Sequence, residues 1–452
     1  MAILSRLLKP TDYGVMAMAG VFTALATMLR DMGTGTAIVQ RKELTQGLTS
    51  TVFWLNVALG SSIGLVLWAG SGTAATYFRE PQLAGVLIAL AGLFPVGGLT
   101  AVPQALIERR SGFKSLAQMD VTAQLVGLLV AIVAATNGAG VYSLVIPAWV
   151  SAIISLIWLV RLSSWRPSWI FERAEFRSLW SFSGNLAAFN FVNYFSRNAD
   201  SMIVGRILGA TPLGVYSMGY KLMLFPVQNL SWVVNRVMLP TLSRLQDDVA
   251  AARTIYLKML GAIVTISAPL MIGLWVLRVP FVEFAFGTKW GGVATLLAWF
   301  APIGFLQSMM STVGTVFTAF GRTELLFRMG VLNTVLFLVS FVAGAQYSIE
   351  MVAAAYFVAN LLNWLGWVVL TGRQLRAKPT ALWAVLRAPI LSGLAMLTTM
   401  YGALHAVHSV ARNPGLQVLV VGFVGAACYL GVLTLGFGQS IRPLINVVRG
   451  RE

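Results

Sequence analysis

The feature that most restricts this chain is a ladder of thirteen apolar runs, each about as long as the roughly 20 residues needed to cross about 30 Å of hydrocarbon. They lie near 13–39, 48–70, 84–107, 116–136, 141–160, 180–205, 212–240, 257–277, 291–320, 326–345, 349–371, 384–404 and 415–437. Charged or Gly/Pro-rich breaks separate them, and no break exceeds about twenty residues, which leaves no room for a soluble domain. Charged residues make up only 10% of the chain, against about 25% in soluble domains. The expectation is an all-α integral membrane protein of about 13 transmembrane helices.

The charges that remain are lopsided: 32 Lys and Arg against 15 Asp and Glu, a formal net charge of +17. In a soluble protein that balance would point to nucleic acid or an anionic surface. Here the basic residues sort by side. Assigned to alternate ends of the ladder, 21 fall on one side, 7 on the other, and 4 (Arg30, Arg197, Lys221, Arg236) inside spans. Cytoplasmic loops carry such an excess of Lys and Arg. The charge therefore records orientation, with no nucleic-acid partner, a cytoplasmic C-terminus and an external N-terminal stub. Cys428, the single cysteine, can form no internal disulfide.

An internal repeat sets the expected architecture. RLLKPTDYGVMAMAGVF (6–22) aligns without a gap on RILGATPLGVYSMGYKL (206–222), placing Arg6, Leu8, Thr11, Gly14, Val15 and Met18 on identical residues. PVG at 95–97 answers PIG at 302–304. The competing explanation, shared membrane composition, does not account for Arg, Thr and Gly in register. Six crossings separate the two copies, an even number, so the halves run parallel about an axis along the membrane normal, as in some secondary transporters. The boundaries that follow are 1–164 for an N-terminal lobe, 165–378 for a second lobe, and 379–452 for two additional helices and a cytoplasmic tail. On this register the first lobe lacks most of its first helix.

Charged residues at a helix centre cost about 2.5–3.5 kcal/mol on insertion scales, so they face a cavity or a partner. ATMLRDMGTGTAIVQ carries Arg30 and Asp31 near Gly33 and Gly35, either a cavity charge for an anionic headgroup or an ion pair at a helix end. SGNLAAFNFVNYFSRNADS sets Asn185, Asn193, Arg197 and Asp200 at intervals that fall on one helical face. That stripe either lines a wet cavity or bonds neighbouring helices. Lys221 is expected at a depth comparable to Arg197 and Asp200, making one cluster, with Gln228, Asn229, Asn235 and Arg236 continuing the polar character.

Other polar positions are read more plainly. Asp120 belongs at the interface, and Trp165, Trp169 and Trp290 belong to the aromatic belt. His405 and His408 form an i, i+3 pair, and two ligands alone rarely make a metal site. No G-x-x-x-x-G-K-[ST] or H-E-x-x-H motif occurs, and with only two His, both outside the spans, no nucleophile triad can be assembled around the G-S-S-I-G string at 60–64, so neither an enzyme nor a cofactor is expected.

Read together, RLLKPTDYGVMAMA, DMGTGTAIVQRKELT, FWLN, NADSMIVGRILGATPLGVYSMGYKL and RVMLPTLSRLQDD resemble the polysaccharide-exporter branch of the multidrug/oligosaccharidyl-lipid/polysaccharide flippase superfamily, of the colanic-acid-exporter-like, O-antigen type. The similarity runs through most of 6–330. It implies a MATE-like fold of two six-helix lobes around a central cavity in the bacterial inner membrane. The implied activity is translocation of undecaprenyl-diphosphate-linked oligosaccharide for exopolysaccharide, capsule or O-antigen synthesis, beside membrane lipids, a polysaccharide polymerase and other assembly proteins. Cationic cavities in the family make Arg30, Arg197, Lys221 and Arg236 the matching substrate positions, with Asn185 and Asn193 beside them. Asp31 and Asp200 match family phrases and are candidates for coupling or ion pairing. Relatives carry a complete helix before the RLL phrase, which implies a start assigned too late or a truncated, inactive copy.

Three other functions compete. A drug or small-cation antiporter of the same superfamily should prefer acidic cavity residues, whereas in-span cations here outnumber carboxylates four to two. A glycan polymerase or ligase should carry a long external catalytic loop, and none is present. A channel is opposed by the repeat and the mixed charges.

Overall fold

A computed structural model describes residues 2–30, 38–39, 41, 43–170, 172, 194, 198–410 and 413–448, with the backbone alone for 231–233, 408–410 and 438–448. Among the described residues all regular structure is helical. That is the outcome hydrocarbon requires, because a helix satisfies its own backbone N–H and C=O groups where no water can.

The chain divides into two compact units, Met1–Gly214 and Val215–Glu452. The first holds α1 (Ala2–Leu7), α2 (Pro10–Arg30), α3 (Gln46–Phe78), α4 (Gln82–Ala91), α5 (Leu93–Arg109), α6 (Phe113–Thr136), α7 (Tyr142–Ser163) and the helical stretch 198–208, α8. The division falls inside α9 (Ala210–Ser243). The second unit continues through α10 (Val249–Val276), α11 (Arg278–Phe286), α12 (Gly291–Met310), α13 (Val313–Ala319), α14 (Thr323–Ala345), α15 (Ile349–Gln374), α16 (Pro379–Val410) and α17 (Pro414–Val448).

Helix starts follow local chemistry. Pro10 occupies the first turn of α2, where a missing N–H costs nothing, and Asp12 Oδ2 reaches back to accept from Lys9 N at 2.8 Å. Thr45, Asp248 and Ser348 cap α3, α10 and α15 through their side-chain oxygens. The sequence phrase KPTD is thus both half of the repeat and a start signal.

Among the described residues eleven helical spans are long and apolar enough to cross a membrane, α4 with α5 making one of them and α12 with α13 another. Of the thirteen expected runs, 180–205 lies largely outside the described residues. The run 212–240 is helical as α9, yet α9 is not among the eleven, because polar residues recur along its length. The remaining runs fall on helices, some of which extend well past them, as α3 does to Phe78, α10 from Val249 and α17 to Val448, apart from the first, where the described helix ends at Arg30.

Packing repeats between the units, each taken by itself. In the first, α3 packs on α5, α5 on α7 and α6 on α7; in the second, α10 packs on α12, α12 on α15 and α14 on α15. One core cluster of the first unit gathers Ile38, Leu48, Val52, Phe53, Val102 and Leu106. The second unit is larger in its core, with α16 laid against α10 and α17 against α16. Buried Met238, Leu260, Val264 and Val316 form one of its clusters, and Met396, Met400, Val421 and Tyr429 belong to another.

Candidate functional site

The repeat phrase and its copy meet. Thr11 and Thr211 share a hydrogen bond between their hydroxyls at 2.7 Å, both inside the first unit. Around it the contacts are reciprocal. A Cβ added at Gly14 would collide with the carbonyl oxygen of Ala210, and one added at Gly214 would collide with the carbonyl oxygen of Pro10. Residue pairs 10/214 and 14/210 exchange roles across an offset of 200, which is the signature of a local two-fold axis through the threonines. Only glycine permits such backbone approach, as at close helix crossings in membranes. In the sequence these residues are legible as a repeat but not as a contact; identity at Thr and Gly in register is the available signal.

Arg206, also in the repeat, anchors α8 to the end of α3. Its Nη1 donates to Tyr77 O at 2.6 Å and its guanidinium lies over the Tyr77 ring at 5.3 Å. Tyr194 donates its hydroxyl to the carbonyl of Val21. Arg109 donates to the carbonyls of Ile38, at 3.0 Å, and Arg41, fixing the connection that leads into α3.

The expected site residues distribute as follows. Arg30 closes α2, half-buried, with its guanidinium on Gly97 of α5, where any Cβ would strike Nη1. The PVG motif at 95–97 therefore provides the space in which Arg30 sits. Asp200 in α8 is 6% exposed, and its Oδ1 accepts from Ser201 N at 2.7 Å. Asp31, Asn185, Asn193 and Arg197 lie outside the described residues, so the Arg197, Asp200 and Lys221 cluster rests on sequence alone.

Lys221 and Arg236 share α9. At 100° per residue, Lys221, Phe225, Gln228, Asn229 and Arg236 fall on one face, and all five are exposed. Lys221 and Arg236 are 15 residues apart, about 22 Å along the helix. Among the described residues no hydrogen bond or ion pair engages Lys221. The opposite face is packed: Tyr216, Met223, Val227, Met238 and Leu242 are buried, and Tyr216 and Tyr220 set their rings edge-on to Phe300 of α12. This one-sided burial holds a row of donors outward along a helix of 34 residues.

Asn235 behaves differently from its neighbour. Its Nδ2 donates to Ser311 O at 3.2 Å and its Oδ1 accepts from Thr315 Oγ1 at 2.7 Å, so it ties α9 to the break between α12 and α13. Three further polar contacts have no counterpart in the sequence pattern. Gln307 donates to Tyr356 Oη at 2.8 Å and to Asn360 Oδ1 at 3.3 Å, and the buried Ser308 and Ser267 bond at 2.9 Å. Asp120 and His405 are exposed; the His408 side chain lies outside the described residues.

A repeated bundle of spanning helices with an exposed row of basic and amide side chains on one long helix defines a class, a multi-span helical membrane protein. Residues 3–295 match the family described as polysaccharide biosynthesis proteins, and the chain belongs to that family. The teichuronic acid biosynthesis protein TuaB of Bacillus subtilis (strain 168) is 25% identical over 448 residues, 98% of this chain and 93% of TuaB. The lipopolysaccharide biosynthesis protein WzxC of Escherichia coli (strain K12) is 27% identical over 366 residues, 80% of this chain and 74% of WzxC. Among solved structures, lipid II flippase MurJ in an inward closed conformation superposes with a TM-score of 0.75 at 13% identity, covering 98% of this chain and 97% of MurJ. An inward-facing MATE-family multidrug resistance transporter gives 0.65 at 14%, covering 83% and 93%. The resemblance to polysaccharide exporters drawn from the repeat phrases holds at the level of the family, and the fold is the one shared with MurJ and the MATE-family transporter.

Proposed function

We propose that the chain translocates a polyprenyl-diphosphate-linked oligosaccharide across a bacterial inner membrane for polysaccharide biosynthesis. The observation that carries this reading is the exposed row of Lys221, Gln228, Asn229 and Arg236 on α9. Ionisable side chains within a spanning segment face a bundle interior or water-filled cavity. A row of cations and amides matches a diphosphate followed by hydroxyl-rich sugars, because charge-assisted hydrogen bonds to phosphate oxygens are about twice as strong as neutral ones. Family membership and the names of the relatives, biosynthesis proteins of teichuronic acid and lipopolysaccharide, support the substrate class.

In this reading Arg30, Arg197, Lys221 and Arg236 hold the anionic headgroup, Asn185 and Asn193 contact sugar, and Asp31 or Asp200 couples transport or balances charge. The lipid tail stays in the bilayer while the headgroup crosses by alternating access, with the Thr11–Thr211 junction opening and closing the end at which the cation-poor loops lie. The protein performs no covalent chemistry. In the same reading its C-terminus is cytoplasmic, its two lobes are 1–164 and 165–378 with two additional helices and a tail in 379–452, and a polymerase and other assembly proteins receive the product.

Deleting the gene and identifying the lipid-linked sugar that accumulates tests the reading. Accumulation on the inner leaflet with loss of the mature polysaccharide is the expected result; no accumulation would sink it.

A further inference from the structure

The two units treat one equivalent place differently. In the first, the segment after α7 lies over the start of α3 and covers it with the chain's own aromatics. Trp165 packs edge-on to Phe53 at 5.6 Å and Trp169 stacks on Trp54 at 4.3 Å. Ser168 N donates to Ser50 Oγ, and Trp54 Nε1 donates to Ser168 O. In the second unit the helices in the same order are α10, α12 with α13, and α15. Here the segment after α15 turns at once into α16, held by Arg253 Nη1 donating to Arg376 O at 3.0 Å, and brings no tryptophan with it.

What remains is a groove of about 510 Å³ walled by Tyr256, Leu260, Met309, Val313, Trp367 and Leu382. That volume falls in the range of about 300–1,000 Å³ typical of small-ligand sites. Two polar atoms in its lining residues are buried without a hydrogen-bond partner, Thr371 Oγ1 and Trp364 Nε1. Thr371 is 4% exposed. Neither atom is open to the groove, so neither contacts an occupant. At the groove's rim stand Arg373, Arg376 and Lys378, all exposed, and no carboxylate lines it. Among the described residues none of these three side chains is paired.

We propose that this groove binds one anionic glycerophospholipid from the leaflet on the cation-rich side. One acyl chain occupies the apolar walls, and the phosphate meets Arg373, Arg376 and Lys378. Basic pockets between spanning helices on that side bind anionic headgroups through the same chemistry. The lipid takes the space that Trp165 and Trp169 occupy in the first unit. This site is separate from the α9 row and requires no transport to be detected.

The test is lipid retention by the purified full-length protein, measured by native mass spectrometry with equimolar phosphatidylglycerol and phosphatidylethanolamine. Wild type should keep phosphatidylglycerol preferentially. R373Q/R376Q/K378Q should lose at least about tenfold of that retention, whereas K114Q/R161Q/R322Q, the same charge change elsewhere, should lose none. Leu260→Trp, which fills the groove and leaves the cations in place, should also release the lipid. Equal retention of the two lipids by wild type, or unchanged retention by the triple variant, overturns the proposal. So does displacement of phosphatidylglycerol by equimolar undecaprenyl phosphate, which would assign the groove to the transported lipid's tail.

Discussion

Thr11 and Thr211 are 200 residues apart in the chain and 2.7 Å apart in space, hydroxyl to hydroxyl. Each copy of the repeat supplies one partner, so the junction is self-complementary. If it parts during transport, a covalent link must stop the cycle. Thr11→Cys/Thr211→Cys in a Cys428→Ser background should cross-link under oxidation, block export of the polysaccharide, and recover on reduction. Gel mobility with and without reductant, alongside surface polysaccharide, reads both effects, and full export by the oxidised form would exclude a moving junction.

The flanking glycines should tolerate nothing larger. Gly14→Leu and Gly214→Leu each drive a side chain into a backbone carbonyl, of Ala210 and Pro10 respectively. Overpacking of this kind costs about 1–3 kcal/mol, and more where backbone must yield. The midpoint of thermal unfolding in detergent should fall for either variant. Gly20→Ala, with open space around it, is the control and should leave it unchanged.

Arg30 and Gly97 should be coupled. Gly97→Val displaces the guanidinium and should destabilise by about 1–3 kcal/mol. Arg30→Ala/Gly97→Val removes the clash, so stability should return while transport does not. A double-mutant cycle on unfolding midpoints measures the coupling, and additive effects would show that Arg30 does not occupy that space.

On α9, charge should matter more than shape. Lys221→Ala and Arg236→Ala should each reduce polysaccharide export with normal membrane insertion, and Lys221→Ala/Arg197→Ala should abolish it. Lys221→Arg should retain most export because the positive charge persists, while Lys221→Glu should be worse than Ala through repulsion of phosphate. Accumulated lipid-linked sugar, normalised to protein level, distinguishes these outcomes; equal export by all four Lys221 and Arg236 single variants would remove α9 from the site.

Asn235 makes the opposite prediction. Its amide is used inside the second unit, by Ser311 and Thr315. Asn235→Ala should cost about 0.5–1.5 kcal/mol through the loss of two partly buried hydrogen bonds, seen as a lower unfolding midpoint, with export per folded molecule close to wild type.

Asn235 and Arg236 also mark the limit of sequence reasoning. As adjacent polar letters in an apolar run they read alike, yet one bonds the break after α12 and the start of α13 while the other is exposed on the open face. A one-residue step rotates a helix by 100°, and only the neighbouring helices decide which direction is solvent. Gln307, Tyr356 and Asn360 were invisible for a related reason. They sit in helices buried on several sides, where no apolar periodicity sets a polar position apart.

The sequence by itself determined the spanning helices, because runs of about 20 apolar residues have no other stable arrangement in hydrocarbon. It also determined the family and the repeat, since Arg, Thr and Gly in register are one-dimensional facts. Tertiary structure decided what those residues do: that Thr11 meets Thr211, that Gly97 makes room for Arg30, and that Trp169 covers Trp54 in one unit while the second keeps a groove beneath Arg373. These are contacts between residues about 65–200 positions apart, set by helix packing and side-chain direction, which no local pattern encodes.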